Sequence, residues 1–464
     1  MNSAHYQALE GIVTSARISQ KPDDLQIYGK DWTRSVPRPS AVVFPKTTEE
    51  VSKLLKYCHQ NKLQVVPSGG RTGLAGAANA SHDEIVISLE KMDQILSIDP
   101  INMSIRAEAG AIIETLQKAA KDKGLFYPVD LAAKGSCQLG GNIATNAGGL
   151  KLIRYGGTRE QVLGLEVVLI DGTILDLNYD LRKNNIGYDL KHLFIGSEGT
   201  LGIVTQATMK LASLPKDLRL TCMACPDFES VTKLLGLINL RGIAPTAFEF
   251  FTRECFELVL KHQKHRINPF QEKAPVYTLL EFEKQPEGAA DPMEPFLEEA
   301  FERGLITDAV VATNSTEFSN LWGFRENISE SVSIEGNVRK NDISLPISSL
   351  PQFIAEMNVE LAKIKGVQMF LFGHIGDGNL HLNYVGDFKQ EYADFRAATR
   401  DTEVKVFELV RKYKGSISAE HGIGTLKKQD LHYCLSAEGI ELMKKIKRAF
   451  DPDNLLNPGK IFDL

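Results

Sequence analysis

From Ala41 onward the chain switches repeatedly between two periodicities. Val51, Leu54, Leu55 and Cys58 recur at helical spacing behind Thr47-Thr48-Glu49-Glu50, a capping-box signature, and predict a short amphipathic helix. Leu63 to Pro67, Ile85 to Leu89 and Ser104 to Ala109 read as strands, while Ile113, Leu116 and Ala120 mark a second helix ending near Gly124. Leu165 to Ile170 and Thr173 to Leu177 flank Asp171-Gly172, a two-residue hairpin signal, and Gly202 to Leu211 supplies a further strand. The pattern is α+β with antiparallel pairing. No period of roughly 20 to 50 residues recurs, which excludes a solenoid.

After Pro215 glycine thins out, and charged helical stretches appear at 252–264 and 293–303 with a polar linker at 284–292. A domain boundary near 215 is expected. The stretch 437–450 reads as an amphipathic helix followed by Asp451-Pro452-Asp453-Asn454, a turn, and by Asn457-Pro458-Gly459-Lys460; this tail is expected to pack back on the first domain. The expected division is therefore 1–215, 216–412 and 413–464.

Composition narrows the function classes. With 43% hydrophobic and 24% charged residues in 464, the chain can bury large cores, and fibrous or disordered classes drop out. Lys and Arg number 53 against 59 Asp and Glu, a net charge of −6, so neither nucleic acid nor an anionic membrane is a general partner; a small molecule is expected. Six cysteines, at 58, 137, 222, 225, 255 and 434, are too few for a disulfide scaffold and fit a reducing compartment. Cys222-Met223-Ala224-Cys225 lacks a second pair or a nearby histidine, and its flanks alternate like a strand, so it reads as structural rather than zinc-binding. The first residues lack a basic segment followed by an apolar one, and no apolar run reaches the roughly 18 residues of a membrane span. The expected location is the cytoplasm, or the mitochondrial matrix in a eukaryote.

Two segments concentrate glycine. Ser68-Gly69-Gly70-Arg71-Thr72-Gly73-Leu74-Ala75-Gly76 follows a strand directly, an arrangement in which successive N–H groups can face one anion. Gly135-Ser136-Cys137-Gln138-Leu139-Gly140-Gly141-Asn142-Ile143-Ala144-Thr145-Asn146-Ala147-Gly148-Gly149 adds small polar side chains that can read a flat heterocycle. Neither G-x-G-x-x-G nor the P-loop pattern is present, so a nucleotide fold other than these is required.

Pro67 to Gly73, Gly140 to Gly149 and Gly196-Ser197-Glu198-Gly199-Thr200-Leu201-Gly202 resemble the FAD-binding domain of the vanillyl-alcohol-oxidase (PCMH-type) flavoproteins over roughly residues 40 to 215. The resemblance implies a two-part FAD-binding domain followed by an α+β substrate or cap domain, an antiparallel sheet covered by helices. The residues it assigns to FAD are Pro67, Ser68, Gly69, Gly70, Arg71, Thr72, Gly73, Lys134, Gly135, Ser136, Gly140, Gly141, Asn142, Thr145, Asn146, Gly148, Gly149, Glu198, Gly202, Ile203, Val204 and Asn457. Arg71 stands in the region where some members carry a flavin-linking histidine, so the FAD is expected to be non-covalent.

In the second half His374 and His381 lie seven apart around Asp377-Gly378-Asn379, and flanking strands would let both rings converge. Imidazole suits Zn²⁺, Mn²⁺ or Fe²⁺, and Ser418-Ala419-Glu420-His421-Gly422 offers a third, carboxylate ligand with a spare histidine. Taken alone, these read first as two satisfied polar histidines and an unrelated Glu-His. Both motifs resemble the C-terminal domain of FAD-dependent D-2-hydroxyacid dehydrogenases, which implies His374, His381 and Glu420 as ligands of a divalent metal, zinc first, and His421 as a substrate-contacting general base.

Leu321 to Ser329 reads as one helix placing Arg325 and Ser329 a turn apart on the same face. With Lys340 in Lys340-Asn341-Asp342-Ile343-Ser344-Leu345-Pro346, and with Asn383 and Leu181 to Lys191, this segment resembles the D-2-hydroxyglutarate branch. The resemblance implies Arg325, Ser329, Lys340, Asn383 and His421 as substrate contacts, the two cations suiting a dicarboxylate. The expected reaction is oxidation of D-2-hydroxyglutarate to 2-oxoglutarate by hydride transfer to flavin N5. D-lactate dehydrogenase or a glycolate oxidase FAD subunit is the alternative. The acceptor is expected to be electron-transfer flavoprotein or a quinone-linked carrier rather than NAD or dioxygen, and a homodimer is left open.

Overall fold

The computed structural model describes residues 1–284, 291–363 and 366–464. Most of the expected linker at 284–292 lies outside the described residues. The chain divides into two compact units. One comprises Met1–Gly149, Gly156–Leu214 and Glu420–Leu464; the other comprises Leu150–Tyr155 and Pro215–Ala419. The linear division at 412 and 413 does not coincide with the junction at Ala419 and Glu420, and nothing in the local pattern marks residues 150–155 as part of the second unit.

In the first unit β1 (Ile18–Ser19), β2 (Ala41–Val43), β3 (Val65–Ser68) and β4 (Ile85–Ser88) form a sheet of order β1-β2-β4-β3, parallel except for β1. A second sheet holds β5 (Ile95–Asp99) and β6 (Ser104–Glu108). Its remaining strands are β8 (Val162–Val168), β9 (Ile174–Leu177) and β10 (Ile203–Lys210), in the antiparallel order β5-β6-β10-β8-β9. β7 (Leu125–Phe126) pairs separately with β11 (Ala212–Ser213). The helix Thr48–Gln60 buries Val51, Leu54, Leu55 and Cys58, the residues its period selects, in a core shared with Val65, Ile85, Ile105, Leu116, Leu165 and Leu456. Its cap is half a capping box. Thr47 Oγ1 accepts from Glu50 N (3.2 Å), but the Glu50 carboxylate is taken by Arg17 and by Lys46 N (2.8 Å). The hairpin loop also exceeds two residues: Leu169 N donates to Thr173 O and Gly172 N to Leu169 O, with Gly172 at φ +87°, a turn followed by a left-handed glycine.

The second unit is built on a seven-stranded antiparallel sheet. In chain order its strands are β12 (Leu218–Cys225), β13 (Pro245–Thr252), β14 (Val276–Glu283), β15 (Asp308–Val311), β16 (Asn337–Ser344), β17 (Gln368–His374) and β18 (Asn379–Gly386), arranged β15-β12-β14-β13-β17-β18-β16. Helices cover the sheet, as an α+β architecture requires. Cys222 and Cys225 fall three apart in β12, so they point to opposite faces, and both thiols are free and buried. Phe251, Phe370 and Phe372 pack with Trp322 and Phe324 of the helix Ser315–Glu326. That helix ends at Asn327, whose side-chain amide donates back to Gly323 O (2.7 Å), and a separate helix runs from Ile328 to Glu335. The single helix expected across Leu321 to Ser329 is therefore two. Arg325 is buried and Ser329 is exposed, not a matched pair on one face.

Candidate functional site

The first unit holds a cleft enclosing about 1270 Å³, its open mouth included. Pro67 to Gly73, Gly140, Gly141, Thr145, Glu198, Gly202, Ile203 and Val204 all line it. Among the described residues the N–H groups of Gly69 to Leu74 donate to no protein acceptor, so six successive donors are available to an anion. The buried Ser68 Oγ and Gln138 Oε1 likewise have no hydrogen-bond partner. Gly70 allows the two glycine segments to meet: a Cβ there would lie 2.0 Å from Ser136 O. Arg71, at φ +58°, donates to Gly69 O (3.1 Å) and lies 4.4 Å over the Tyr28 ring.

Other expected cofactor residues make contacts within the protein. The second glycine segment is partly helical, Leu139–Thr145, because Gln138 O accepts from Asn142 N and Asn146 closes the turn in the left-handed region. Asn142 accepts from Thr158 Oγ1 (3.1 Å), and Asn146 accepts from Arg159 N (3.0 Å). Lys134 pairs with Asp130, and Gly149 passes so close to Asp130 that a Cβ would lie 2.3 Å from its carbonyl oxygen. Asn457 donates to Ala77 O (3.0 Å) and Glu198 O (2.6 Å). Lys134, Gly135, Ser136, Asn142, Asn146, Gly148, Gly149 and Asn457 are not among the residues lining the cleft. Sequence reading missed Asp31, Gln138 and the run Leu131 to Ala133, which do line it; Gln138 stood inside the quoted motif.

Glu420 and His421 line the same cleft. Their loop is fastened by Glu198, whose carboxylate accepts from Ile423 N and Gly424 N, both at 2.7 Å. Burial nonetheless pushes the Glu198 carboxyl above its ordinary value.

In the second unit, register places one polar row on one sheet face. Phe372 pairs with His381, and His381 with Asp342; Phe370 pairs with Asn383, and Asn383 with Lys340. His374 and His381, both 8% exposed, stand with ring centroids 5.2 Å apart and near perpendicular. His374 Nδ1 is 2.9 Å from Glu249 Oε1, and Arg325 Nε donates to Glu249 Oε2 at 2.8 Å. Arg325 lies 4.8 Å over Phe372, and its Nη2 is 3.5 Å from His374 Nε2, at the limit of hydrogen bonding. Asp342 accepts from Asn379 Nδ2 (2.8 Å) and Ala419 N (3.1 Å) and lies 3.8 Å from His381 Nδ1. Burial pushes the Asp377 carboxyl up to about 6, against the pull of His374. Lys340 reaches solvent, has no hydrogen bond or ion pair among the described residues, and has its pKa lowered by the desolvating protein around it.

Residues 39–178 match the family described as FAD binding domain, and residues 214–461 match FAD linked oxidases, C-terminal domain. D-2-hydroxyglutarate dehydrogenase of Stutzerimonas stutzeri (strain A1501) is 43% identical over 456 residues, covering 98% of each chain. The mitochondrial D-2-hydroxyglutarate dehydrogenase of Bos taurus is 39% identical over 457 residues, covering 98% of this chain and 82% of that one. The chain belongs to the FAD-dependent D-2-hydroxyacid dehydrogenase family. It is an FAD-linked enzyme of that class. p-Cresol methylhydroxylase has the same PCMH-type fold, with a TM-score of 0.81 at 15% identity over 100% of this chain and 98% of that one. Alkyldihydroxyacetonephosphate synthase also shares the fold, with a TM-score of 0.74 at 19% identity over 99% and 86% of the two chains.

For a member of this family the free N–H row, the unsatisfied Ser68 and Gln138 and the glycine cradle at Gly70 fit FAD, the first for its pyrophosphate. In the second unit His374 and His381 are donors of a type that suits a divalent metal. The carboxylate on His374 Nδ1 favours the tautomer with the proton on that nitrogen, and Nε2 faces Arg325 Nη2 at 3.5 Å. No helix among the described residues is long and apolar enough to cross a membrane.

Proposed function

We propose that this enzyme oxidises D-2-hydroxyglutarate to 2-oxoglutarate. The observation that carries the reading is the pair of cations on one sheet face of the second unit: Arg325 over β17, with Nη1 unclaimed among the described residues, and Lys340 of β16, unpartnered among them, opposite Asn383 of β18. Two cations with free donors suit a substrate with a carboxylate at each end, Arg325 through a planar fork and Lys340 as a point charge. The names of the relatives at 39–43% identity support the same substrate.

His374, His381 and Glu420 would hold the metal, and two nitrogens with one carboxylate oxygen are a set suited to Zn²⁺, with Mn²⁺ or Fe²⁺ as alternatives. When bound, FAD supplies a hydride acceptor and the metal lowers the pKa of the substrate hydroxyl. The chain's own residues do the rest. Arg325, Lys340 and Asn383 orient the substrate, with Ser329 as a further hydroxyl contact, and His421 as a neutral imidazole takes the hydroxyl proton. Electrons leave to electron-transfer flavoprotein or a quinone-linked carrier, a choice supported by the relatives' being dehydrogenases.

The test is anaerobic flavin reduction with D-2-hydroxyglutarate, D-malate, D-lactate and glycolate, with and without chelator. D-2-hydroxyglutarate should reduce the flavin fastest, and chelation should abolish the reaction. Faster reduction by D-lactate or glycolate would move the enzyme to the monocarboxylate branch, and an unreduced flavin with all four would sink the reading.

A further inference from the structure

A carboxylate outside the expected site joins two of its parts. Glu249 lies in β13 within Ala247-Phe248-Glu249-Phe250-Phe251, every member buried, and is itself 1% exposed. A lone carboxylate in an apolar strand is costly unless it is fully engaged. Its partners are His374 Nδ1 and Arg325 Nε, 125 and 76 residues away in sequence. Both oxygens lie against the imidazole, Oε1 at 2.9 Å and Oε2 at 2.8 Å from Nδ1, and Oε2 also accepts from the guanidinium, so one carboxylate fixes both groups.

We propose that Glu249 is a positioning residue that sets His374 for metal ligation and Arg325 for carboxylate recognition at the same time. The proposal rests on the reading of His374 as a metal ligand. As an acceptor on Nδ1, Glu249 dictates which ring nitrogen carries the proton and raises the basicity of the other, Nε2, which faces Arg325 Nη2 at 3.5 Å. Its hold on Nε turns the guanidinium edge and leaves Nη1, unclaimed among the described residues, for a carboxylate. A glutamine cannot replace it, because both oxygen positions lie against His374 Nδ1 and the amide NH₂ would face that N–H whichever way it turned.

The experiment uses the FAD-loaded protein stripped of metal. Zn²⁺ affinity is measured by calorimetry, and KM and kcat for D-2-hydroxyglutarate are measured after reloading, for wild type, Glu249→Gln and Glu249→Asp. Glu249→Gln should weaken Zn²⁺ binding about 10- to 100-fold, the usual effect of losing a partner behind a metal ligand. KM should rise with it, and Glu249→Asp, which keeps both acceptors, should recover part of each loss. A merely structural role would lower the melting temperature and leave Zn²⁺ affinity within about twofold, which would overturn the proposal. A wild type that binds no Zn²⁺ and whose flavin the substrate does not reduce would instead overturn the reading beneath it. If Glu249→Gln fails to fold, imidazole ¹⁵N spectra of the metal-free wild type decide: His374 should carry its proton on Nδ1, and a proton on Nε2 would overturn the proposal.

Discussion

Lys340 and Asn383 face each other across β16 and β18, two residues along from the facing pair Asp342 and His381. Strand geometry puts all four side chains on one sheet face, so the cation stands within a row that contains an expected metal ligand. A substrate held at its hydroxyl end by this row would meet Lys340 only if it carried a second anionic group. Lys340→Met should therefore raise KM for D-2-hydroxyglutarate by about 10- to 100-fold, the worth of one hydrogen bond to a charged group. D-lactate turnover should change little. Equal losses on both substrates would show that Lys340 acts on the shared end of the molecule.

The same lysine sets a pH dependence. Desolvation holds its pKa below the ordinary 10.5, and the protonated form is the one that binds a carboxylate. Deprotonation rises with pH, so kcat/KM for D-2-hydroxyglutarate should fall on an alkaline limb that begins below the range of an ordinary lysine. That limb belongs to the free enzyme, since kcat/KM reports free-enzyme groups. D-lactate should lack the limb, and so should Lys340→Met with either substrate. A limb that persists in Lys340→Met would assign it to another group.

Parts of this were legible in the sequence because their causes are local. The close approach at Gly70 needs only the missing Cβ of that residue, and the turn at Asp377 to Asn379 brings His374 opposite Asn379 by simple register. Glu249 was not legible as a partner, because its bonds to His374 and Arg325 span 125 and 76 residues. A signal did exist: one carboxylate between phenylalanines in a strand demands a partner. The break at Asn327 was hidden for a different reason. The helical period runs through it unbroken, and only the side-chain bond to Gly323 O shows why the backbone stops. Leu150–Tyr155 joins the second unit through Lys151, which pairs with the buried Glu281 and lies 5.0 Å over Trp322, contacts that no local pattern encodes.

The contact of the two glycine segments gives a sharper test of the FAD cleft. A Cβ on Gly70 would meet the backbone of Ser136 at 2.0 Å, and backbone cannot swing aside as a flexible side chain can. A Cβ on Gly69 would meet its nearest neighbour, Gly141, at an ordinary 3.5 Å. Gly70→Ala should therefore lower the melting temperature of the FAD-free protein, and Gly69→Ala should not. Any loss of flavin in Gly69→Ala would then come from space taken from the cofactor itself. Equal melting temperatures for the two variants would contradict the close approach at Ser136.

Lys447 supplies a stability test remote from the chemistry. It sits in the helix Ala437–Phe450 at 2% exposure and donates to Thr200 O (2.8 Å), Leu456 O (2.7 Å) and Asp451 Oδ2 (2.5 Å). Asp451, 1% exposed, also accepts from Leu455 N and Leu456 N, so the ion pair fastens the turn that follows the helix. Replacing the lysine strands a buried carboxylate, a loss of about 3 to 5 kcal/mol when one partner of such a pair is removed. Lys447→Met should lower the melting temperature by several degrees, and Lys447→Met/Asp451→Asn should lose less than the sum of the single changes, because the second substitution removes the stranded charge. Strict additivity would mean that Asp451 is held by its backbone donors alone and that the lysine serves only the carbonyls of Thr200 and Leu456.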